Sequence, residues 1–350
     1  MPFQFSHLAA FCISAIVVLL TTPIVKEIGL KSGYYDPPGG RKVHQHPMVR
    51  LGGVSIFLGT LLALLFSWWS GGFGVLPPNQ EYEIWGVTFG GLAFFLIGLA
   101  DDLCNLSPQI RLLLQSLVAS AAWWVGVRID FLSIPGLDGL VSLPLWISLT
   151  ATVVWLVGMA NAINWIDGLD GLAAGVSGIA AVIMLIVCLF MKQPEAGLIV
   201  AALAGGCLGF LRYNFNPAQI FMGDGGAYFM GFTLAGVGVI GLVKSVTTVA
   251  VLLPTLILAV PIIDMSAVIF ERLRHGKSPF SADKRHLHHR LLKAGISHRS
   301  AVLFIYTLTL WAGSLALAFS KVPNGLAYAF AATGLLSYAS WQVSRRVRPS

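Results

Sequence analysis

Long apolar runs separated by short polar stretches dominate the chain, and the runs recur at membrane-crossing length. Eleven can be read, at approximately 5–26, 51–69, 84–100, 110–127, 145–163, 172–191, 196–212, 226–243, 248–270, 301–320 and 325–343. Each is close to the roughly 20 residues that a helix needs to cross a bilayer core. Lipid leaves no partner for an open backbone group, and helices satisfy theirs internally. The pattern therefore predicts an all-α integral membrane protein, a polytopic bundle of about eleven transmembrane helices. Clusters of Gly, Pro and polar residues, such as GYYDPPGGRKVHQHP, SGGFGVLPPNQ and GKSPFSADKRHLHHR, mark the loops. Residues 1–350 read as one domain. The longest polar stretch, 271–300, is too short for a second domain but suits a cap over a site. Its start, ERLRHGK, continues the ninth span as a helix that Gly276 and Pro279 end.

Composition agrees with a life in lipid: 56% of residues are hydrophobic and 11% charged, against about 25% charged in soluble domains. A net charge of +7 raises the question of nucleic acid, but its distribution answers against it. With the spans alternating in direction, eighteen Lys and Arg fall in one set of loops and four in the other. That bias assigns the first set to the cytoplasm, with the N-terminus outside and the C-terminus inside. The stretch before the first span, Met1 to His7, has no Lys or Arg, which favours a retained first helix over a cleaved signal. Cys12, Cys104, Cys188 and Cys207 form no C-x-x-C pair and read as buried structural thiols.

Carboxylates at a membrane edge are costly and rarely idle. Asp101 and Asp102 end the third span, Asp167 and Asp170 follow the fifth, and Asp224 precedes the eighth, all on the predicted cytoplasmic side beside glycines. Adjacent residues on a helix do not share a face, so Asp101 and Asp102 take different tasks, one toward metal or phosphate and one toward a basic group. Asn161, Asn164 and Asp167 recur at three-residue spacing and can line one face. Asp170 lies past Gly168, where the helix breaks and backbone can approach a ligand. Asp224 at a glycine-rich helix start suits Mg²⁺, and the free N–H groups there suit an anion; helix capping is its plainer use. Phe221 offers an aromatic face for a base or for packing. HLHHR supplies His286, His288, His289 and Arg290 as donors, without the further ligands a zinc site needs. Asp264, inside the ninth span, calls for a structural partner.

Five segments, in order across most of the chain, carry a family resemblance: DPPGGRKVHQHPMVRLGG, DDLCNLSPQIRLLLQ, NAINWIDGLDGL, NFNPAQIFMGDGG and PIIDMSAVIFERLRHGKSPFSADKRHLHHRLL. Together they resemble the polyprenyl-phosphate N-acetylhexosamine-1-phosphate transferase superfamily. HLHHR resembles its WecA/TagO-like branch rather than the MraY branch, which uses a peptide-bearing sugar nucleotide. The resemblance implies transfer of a sugar-1-phosphate, GlcNAc-1-phosphate by the branch, from a UDP-sugar to undecaprenyl phosphate with release of UMP. It implies a bacterial inner-membrane enzyme with its active site at the cytoplasmic face, starting a lipid-linked envelope glycan. Mg²⁺, or Mn²⁺ in its place, would be held by Asp224, while Asp101 and Asp102 would engage or deprotonate the lipid phosphate. Asn164, Asp167, Asp170 and Asn214 would line the nucleotide pocket beside Phe221. His288, His289 and Arg290 would hold diphosphate or sugar, with Lys42, His44 and Arg111 as further substrate contacts. The implied partners are the UDP-sugar, undecaprenyl phosphate and membrane lipid, with a homodimer as the assembly to test and no nucleic acid. Where the branch often has another acid after the Asp pair, and MraY a lysine, this chain has Asn105.

Physical chemistry leads to a similar site. Both reactants are anions, so metal and basic groups, with Arg111 and Lys42 at hand, must offset repulsion at the phosphoryl centre. The competing reading is an ion-coupled carrier, which also uses intramembrane acids and glycine-broken helices. Carriers keep such groups near the midplane, whereas these lie at one face. The orientation is checked by a cysteine placed near Lys284: an impermeant thiol reagent outside intact cells is expected to leave it unlabelled.

Overall fold

The computed structural model describes residues 5–36, 47–133, 140–243, 252–276 and 286–347. The helices are α1 (Phe5–Lys31), α2 (Gly52–Trp69), α3 (Pro78–Cys104), α4 (Pro108–Trp124), α5 (Leu145–Ile166), α6 (Leu172–Phe190), α7 (Pro194–Asn214), α8 (Gly223–Val237, continuing as a π turn, Gly238–Val243), α9 (Leu252–Ile257), α10 (Ala259–Arg274), α11 (Leu287–Lys293), α12 (His298–Phe319) and α13 (Gly325–Val347). Two short antiparallel ribbons join them. One pairs β1 (Tyr35–Asp36) with β2 (Met48–Val49), and the other β3 (Phe131–Ser133) with β4 (Leu140–Ser142).

Among the described residues, eight helices are long and apolar enough to cross a membrane: α1, α2, α3, α5, α6, α7, α8 with its π turn, and α12. The other three predicted spans are helical but fall outside that set. They are the 17-residue α4, the α9–α10 pair broken at Leu258, and α13. Helix ends follow local chemistry. Ser107 caps α4, its Oγ accepting from Ile110 N at 3.3 Å, with Pro108 at the first helical position. Asn105 ends α3 with φ +52° and donates its N–H to Asp101 O at 2.8 Å. Asparagine tolerates this left-handed C-terminal conformation, which accounts for the residue that follows the Asp pair. Gly276, φ +66°, follows α10 as expected, whereas Pro279 lies outside the described residues.

Helix α8 is the axis of the bundle. Every residue of Gly225–Leu242 is buried, between α2, α3, α5 and α7. Glycines permit the approach: a methyl group added at Gly98 of α3 would lie 2.5 Å from the backbone of Asp224. One added at Gly53 of α2 would lie 2.3 Å from Gly226 N. Phe57–Phe95 and Phe94–Phe232 stack at 4.5 and 4.4 Å between ring centroids and hold the same three helices together above these contacts.

Of the cysteines, Cys188 and Cys207 are buried, but Cys12 and Cys104 are exposed, so only half follow the expectation of buried thiols. Both exposed thiols sit on helix surfaces that face away from the bundle, where an apolar side chain needs no protein contact. Asp264 has its structural partner: His286 Nδ1 and Asp264 Oδ2 share a hydrogen bond of 2.8 Å, and Leu287 N donates to Asp264 Oδ1 at 2.7 Å.

Gly98→Ala is expected to force α3 off α8, because the obstacle is backbone and cannot rotate aside. Overpacking of this kind costs about 1–3 kcal/mol. Thermal unfolding in detergent should show a clear drop relative to Gly334→Ala, where nothing lies within 4 Å of the added methyl.

Candidate active site

Successive antiparallel helices bring four ends together at one end of the bundle. Asp101 and Asp102 come from the end of α3, Arg111 from the first turn of α4, Asn164 from the last turn of α5 and Asp224 from the first turn of α8. Asn164 Nδ2 donates to Asp224 Oδ1 at 2.9 Å. Arg111 Nη1 is ion-paired with Asp101 Oδ2 and lies 3.6 Å from Asp224 Oδ2, while Arg50 Nη2 lies 3.9 Å from Asp224 Oδ1. The Asp224 side chain is 21% exposed and that of Asp101 only 6%, so a ligand reaches Asp224 first.

The adjacent aspartates do divide their tasks. Asp101 takes the basic group, and Asp102 Oδ2 accepts from Gly225 N at 3.0 Å, serving the start of α8. Capping was the plainer use foreseen for Asp224; α3 supplies it instead, leaving the Asp224 carboxylate turned to Asn164 and the two arginines. Asp102 also lines a cavity of about 260 Å³ with Tyr34, Tyr35, Arg50 and Asn105.

The loop after α5 is tied down by its own acids and amides. Asp167 sits at the C-cap of α5. Burial first, then the nearby Asp102 and Asp170 carboxylates, push it up to about 7 against the pull of Arg50. Asp170 Oδ2 accepts from Asn216 Nδ2 at 2.9 Å and Ala218 N at 3.0 Å, and Asp170 N donates to His298 Nε2 at 2.9 Å. Asn214 is buried, its Oδ1 accepting from Gly171 N and its Nδ2 donating to Ile220 O. Asp170, through Oδ2 and its N–H, and Asn214, through both ends of its amide, tie the neighbouring loops together. Phe221 bonds through its backbone, N to Val49 O and O from Gly52 N, which fixes the strand leading to Asp224.

The histidine segment forms α11, latched by Asp264 through His286. The His286 and His288 rings stack at 5.6 Å and 9°, His289 lies 4.3 Å from His288, and Arg272 sits 4.9 Å over the Trp165 ring. His288 is buried against Gly168, where a methyl group would come within 2.2 Å of Nε2. Burial first, then His289 and His286, lower His288 to about 3, so its ring is a neutral donor or acceptor at ordinary pH. Arg290 is exposed on the same helix. Lys42 and His44 lie outside the described residues. Arg50 and His298 are the site residues that sequence reading did not single out; only Arg50, two residues before the Gly52–Gly53 pair, had a local signal.

Among the described residues no three His, Cys, Asp or Glu side chains converge as a ready metal cluster. Mg²⁺ does not need one, since it commonly takes one or two carboxylates and completes its octahedron with phosphate oxygens and water. Hard, partly exposed oxygens on Asp224 beside an Asn amide fit that demand.

The sequence model of glycosyl transferase family 4 matches residues 84–242. The "Probable undecaprenyl-phosphate N-acetylglucosaminyl 1-phosphate transferase" of Bacillus subtilis is 40% identical over 300 residues, covering 85% of this chain and 81% of the relative. The decaprenyl-phosphate N-acetylglucosaminephosphotransferase of Mycolicibacterium smegmatis is 35% identical over 329 residues, 87% of this chain and 79% of that one. The undecaprenyl-phosphate alpha-N-acetylglucosaminyl 1-phosphate transferase of Salmonella typhimurium is 29% identical over 302 residues, 83% and 78% respectively.

The buried, neutral His288 gives a pH prediction. The unfolded chain takes up its proton near pH 6.5 and the folded chain only near 3, so acid favours unfolding across that window. The unfolding temperature is expected to fall from pH 7 to pH 4.5 more steeply in the natural protein than in His288→Gln.

Proposed function

The chain belongs to glycosyl transferase family 4, in its WecA/TagO-like branch, and from that premise we propose that it transfers GlcNAc-1-phosphate from UDP-GlcNAc to a polyprenyl phosphate, with undecaprenyl phosphate as the acceptor and UMP as the second product. The observation that carries this reading is the meeting of Asp224, Asn164, Arg111 and Arg50 at one end of an apolar bundle. A phosphate at a lipid headgroup arrives at that level without leaving the membrane.

In the direct route, an oxygen of the lipid phosphate attacks the β-phosphorus of the nucleotide. The bond from that phosphorus to the α–β bridging oxygen breaks, and UMP leaves with the bridging oxygen. A phosphate monoester has a second pKa of about 6, so the acceptor is already a competent nucleophile and no covalent enzyme intermediate is needed. Positioning and electrostatics then carry the reaction. Arg111 and Arg50 offset the anionic charge that two phosphorylated reactants bring together. Asp101 holds Arg111 in place, and Asp102, beside Arg50 on the cavity wall, is the carboxylate assigned to orient the lipid phosphate or take its remaining proton. Asp224 and Asn164 are the residues that would hold Mg²⁺, which when bound neutralises diphosphate oxygens. The neutral His288, with His289 and Arg290 on α11, supplies donors at the donor-sugar side, and the Asp170–Asn216–His298 ties keep the loop beneath them in shape.

The charge bias of the loops supports eleven crossings, a cytoplasmic active-site face, and an inner-membrane enzyme with its N-terminus outside. Acids gathered at helix ends, rather than at mid-span, speak against an ion-coupled carrier.

Asp224→Asn is expected to abolish UMP release from UDP-GlcNAc in detergent at ordinary Mg²⁺, with the natural protein requiring both the divalent ion and the lipid phosphate. Near-normal turnover in the variant rejects its role, and UMP formed without any lipid phosphate rejects the direct route.

A further inference from the structure

Beneath the carboxylate centre lies a second polar layer, one helical turn deeper into the bundle. On α4, Gln115 follows Arg111 by four residues; on α5, Asn161 precedes Asn164 by three; on α8, Tyr228 follows Asp224 by four. Such spacings stack residues on one helix face, so Arg111, Asn164 and Asp224 each have a polar residue directly below. Asn161 Nδ2 donates to Gln115 Oε1 at 2.7 Å and to Val157 O at 2.8 Å. Two groups in this layer have no hydrogen-bond partner among the described residues, Gln115 Nε2 and the Tyr228 hydroxyl. Both side chains are wholly buried.

A buried hydroxyl left unpaired costs about 1–3 kcal/mol. Phenylalanine would fill the same space without that cost, and the neighbours Phe229 and Phe232 show that the helix accepts it. The charged groups facing the phenol are Asp224, Arg111, Asp101 and Asp102; from α5 the nearest polar groups are the amides Asn161 and Asn164.

We propose that Tyr228 is a positioning residue of the carboxylate centre, its hydroxyl holding the Asp224 and Asp101 carboxylates from below through an ordered water shared with Gln115 Nε2. The hydroxyl gives the carboxylates a donor besides the Arg111 guanidinium. A water in that place has the two to four polar partners that a buried water requires. The inference rests on the transferase reading for its substrate but not for its test.

The test is Tyr228→Phe in the full-length protein in detergent, with Mn²⁺ affinity read by titration calorimetry, unfolding temperature, and kcat and KM for UMP release. Losing a group that orients a metal ligand typically costs about 10- to 100-fold in affinity or activity. Mn²⁺ affinity and kcat are expected to fall into that range, with KM for the lipid phosphate little changed. The unfolding temperature should change little, because the variant keeps the buried ring and removes a hydroxyl that bonds a water rather than another helix. A Tyr228→Phe protein with unaltered Mn²⁺ affinity and kcat overturns the proposal, as does a drop in unfolding temperature that accounts for the loss. If the natural protein binds Mn²⁺ but releases no UMP, the transferase reading fails while the affinity comparison still decides the role of Tyr228. No Mn²⁺ binding by the natural protein overturns the proposal too.

Discussion

Between α8 and its neighbours α2 and α3 there is room for backbone but not for side chains, and the placement of the reactive carboxylate follows from that. Gly53, Gly98 and Gly226 let three helices touch at distances a Cβ would forbid. The contact at Gly98 is with the backbone of Asp224 itself, so the α3–α8 approach and the position of its carboxylate are one geometric fact. Asp102 reinforces it by accepting from the first turn of α8. Van der Waals packing through small residues is a dominant source of helix association in lipid, where the hydrophobic effect between helices is absent. The site is thus built on close backbone packing between three helices.

On that frame the charges form a closed set. Two arginines, Arg50 and Arg111, face Asp224 from opposite sides, Asp101 restrains one of them, and Asn164 fixes the carboxylate plane. A group of like-charged acids alone would repel anionic substrates. The interleaved guanidinium groups give the same place the positive charge that an anionic ligand needs. Below them the layer of Gln115, Asn161 and Tyr228 keeps polar character one turn into the membrane, so the carboxylates do not rest directly on hydrocarbon.

The histidine helix is attached by separate means. Asp264 reaches from α10 to His286 and to the backbone of Leu287, and Arg272 covers Trp165. These contacts dock α11 over the end of α5, where Gly168 leaves space for the His288 ring. A buried neutral imidazole can hydrogen-bond an oxygen without adding charge to the site. Asp170, through Asn216 and His298, ties three segments distant in sequence into the floor under this helix.

The all-helical architecture, the location of the apolar runs and the gathering of aspartates at one end were legible in the sequence, because run length against bilayer thickness and helix periodicity are local properties. The division of labour between Asp101 and Asp102 was legible in outline too, since neighbouring residues point apart on a helix. Only the folded structure decided which partner each took. Asp102 caps a helix 123 positions away, Asp264 latches a histidine 22 positions on, and Arg50 joins the site because β2 and the Gly52–Gly53 turn are bonded to the segment before α8. Asp170 and Asn214 also bond to loops 46 and 43 positions away, contacts that no local pattern announces. Local sequence determines that a carboxylate stands at a helix end; which donor it meets depends on the angle and distance between helices, and those are set by side-chain volumes summed over the whole interface.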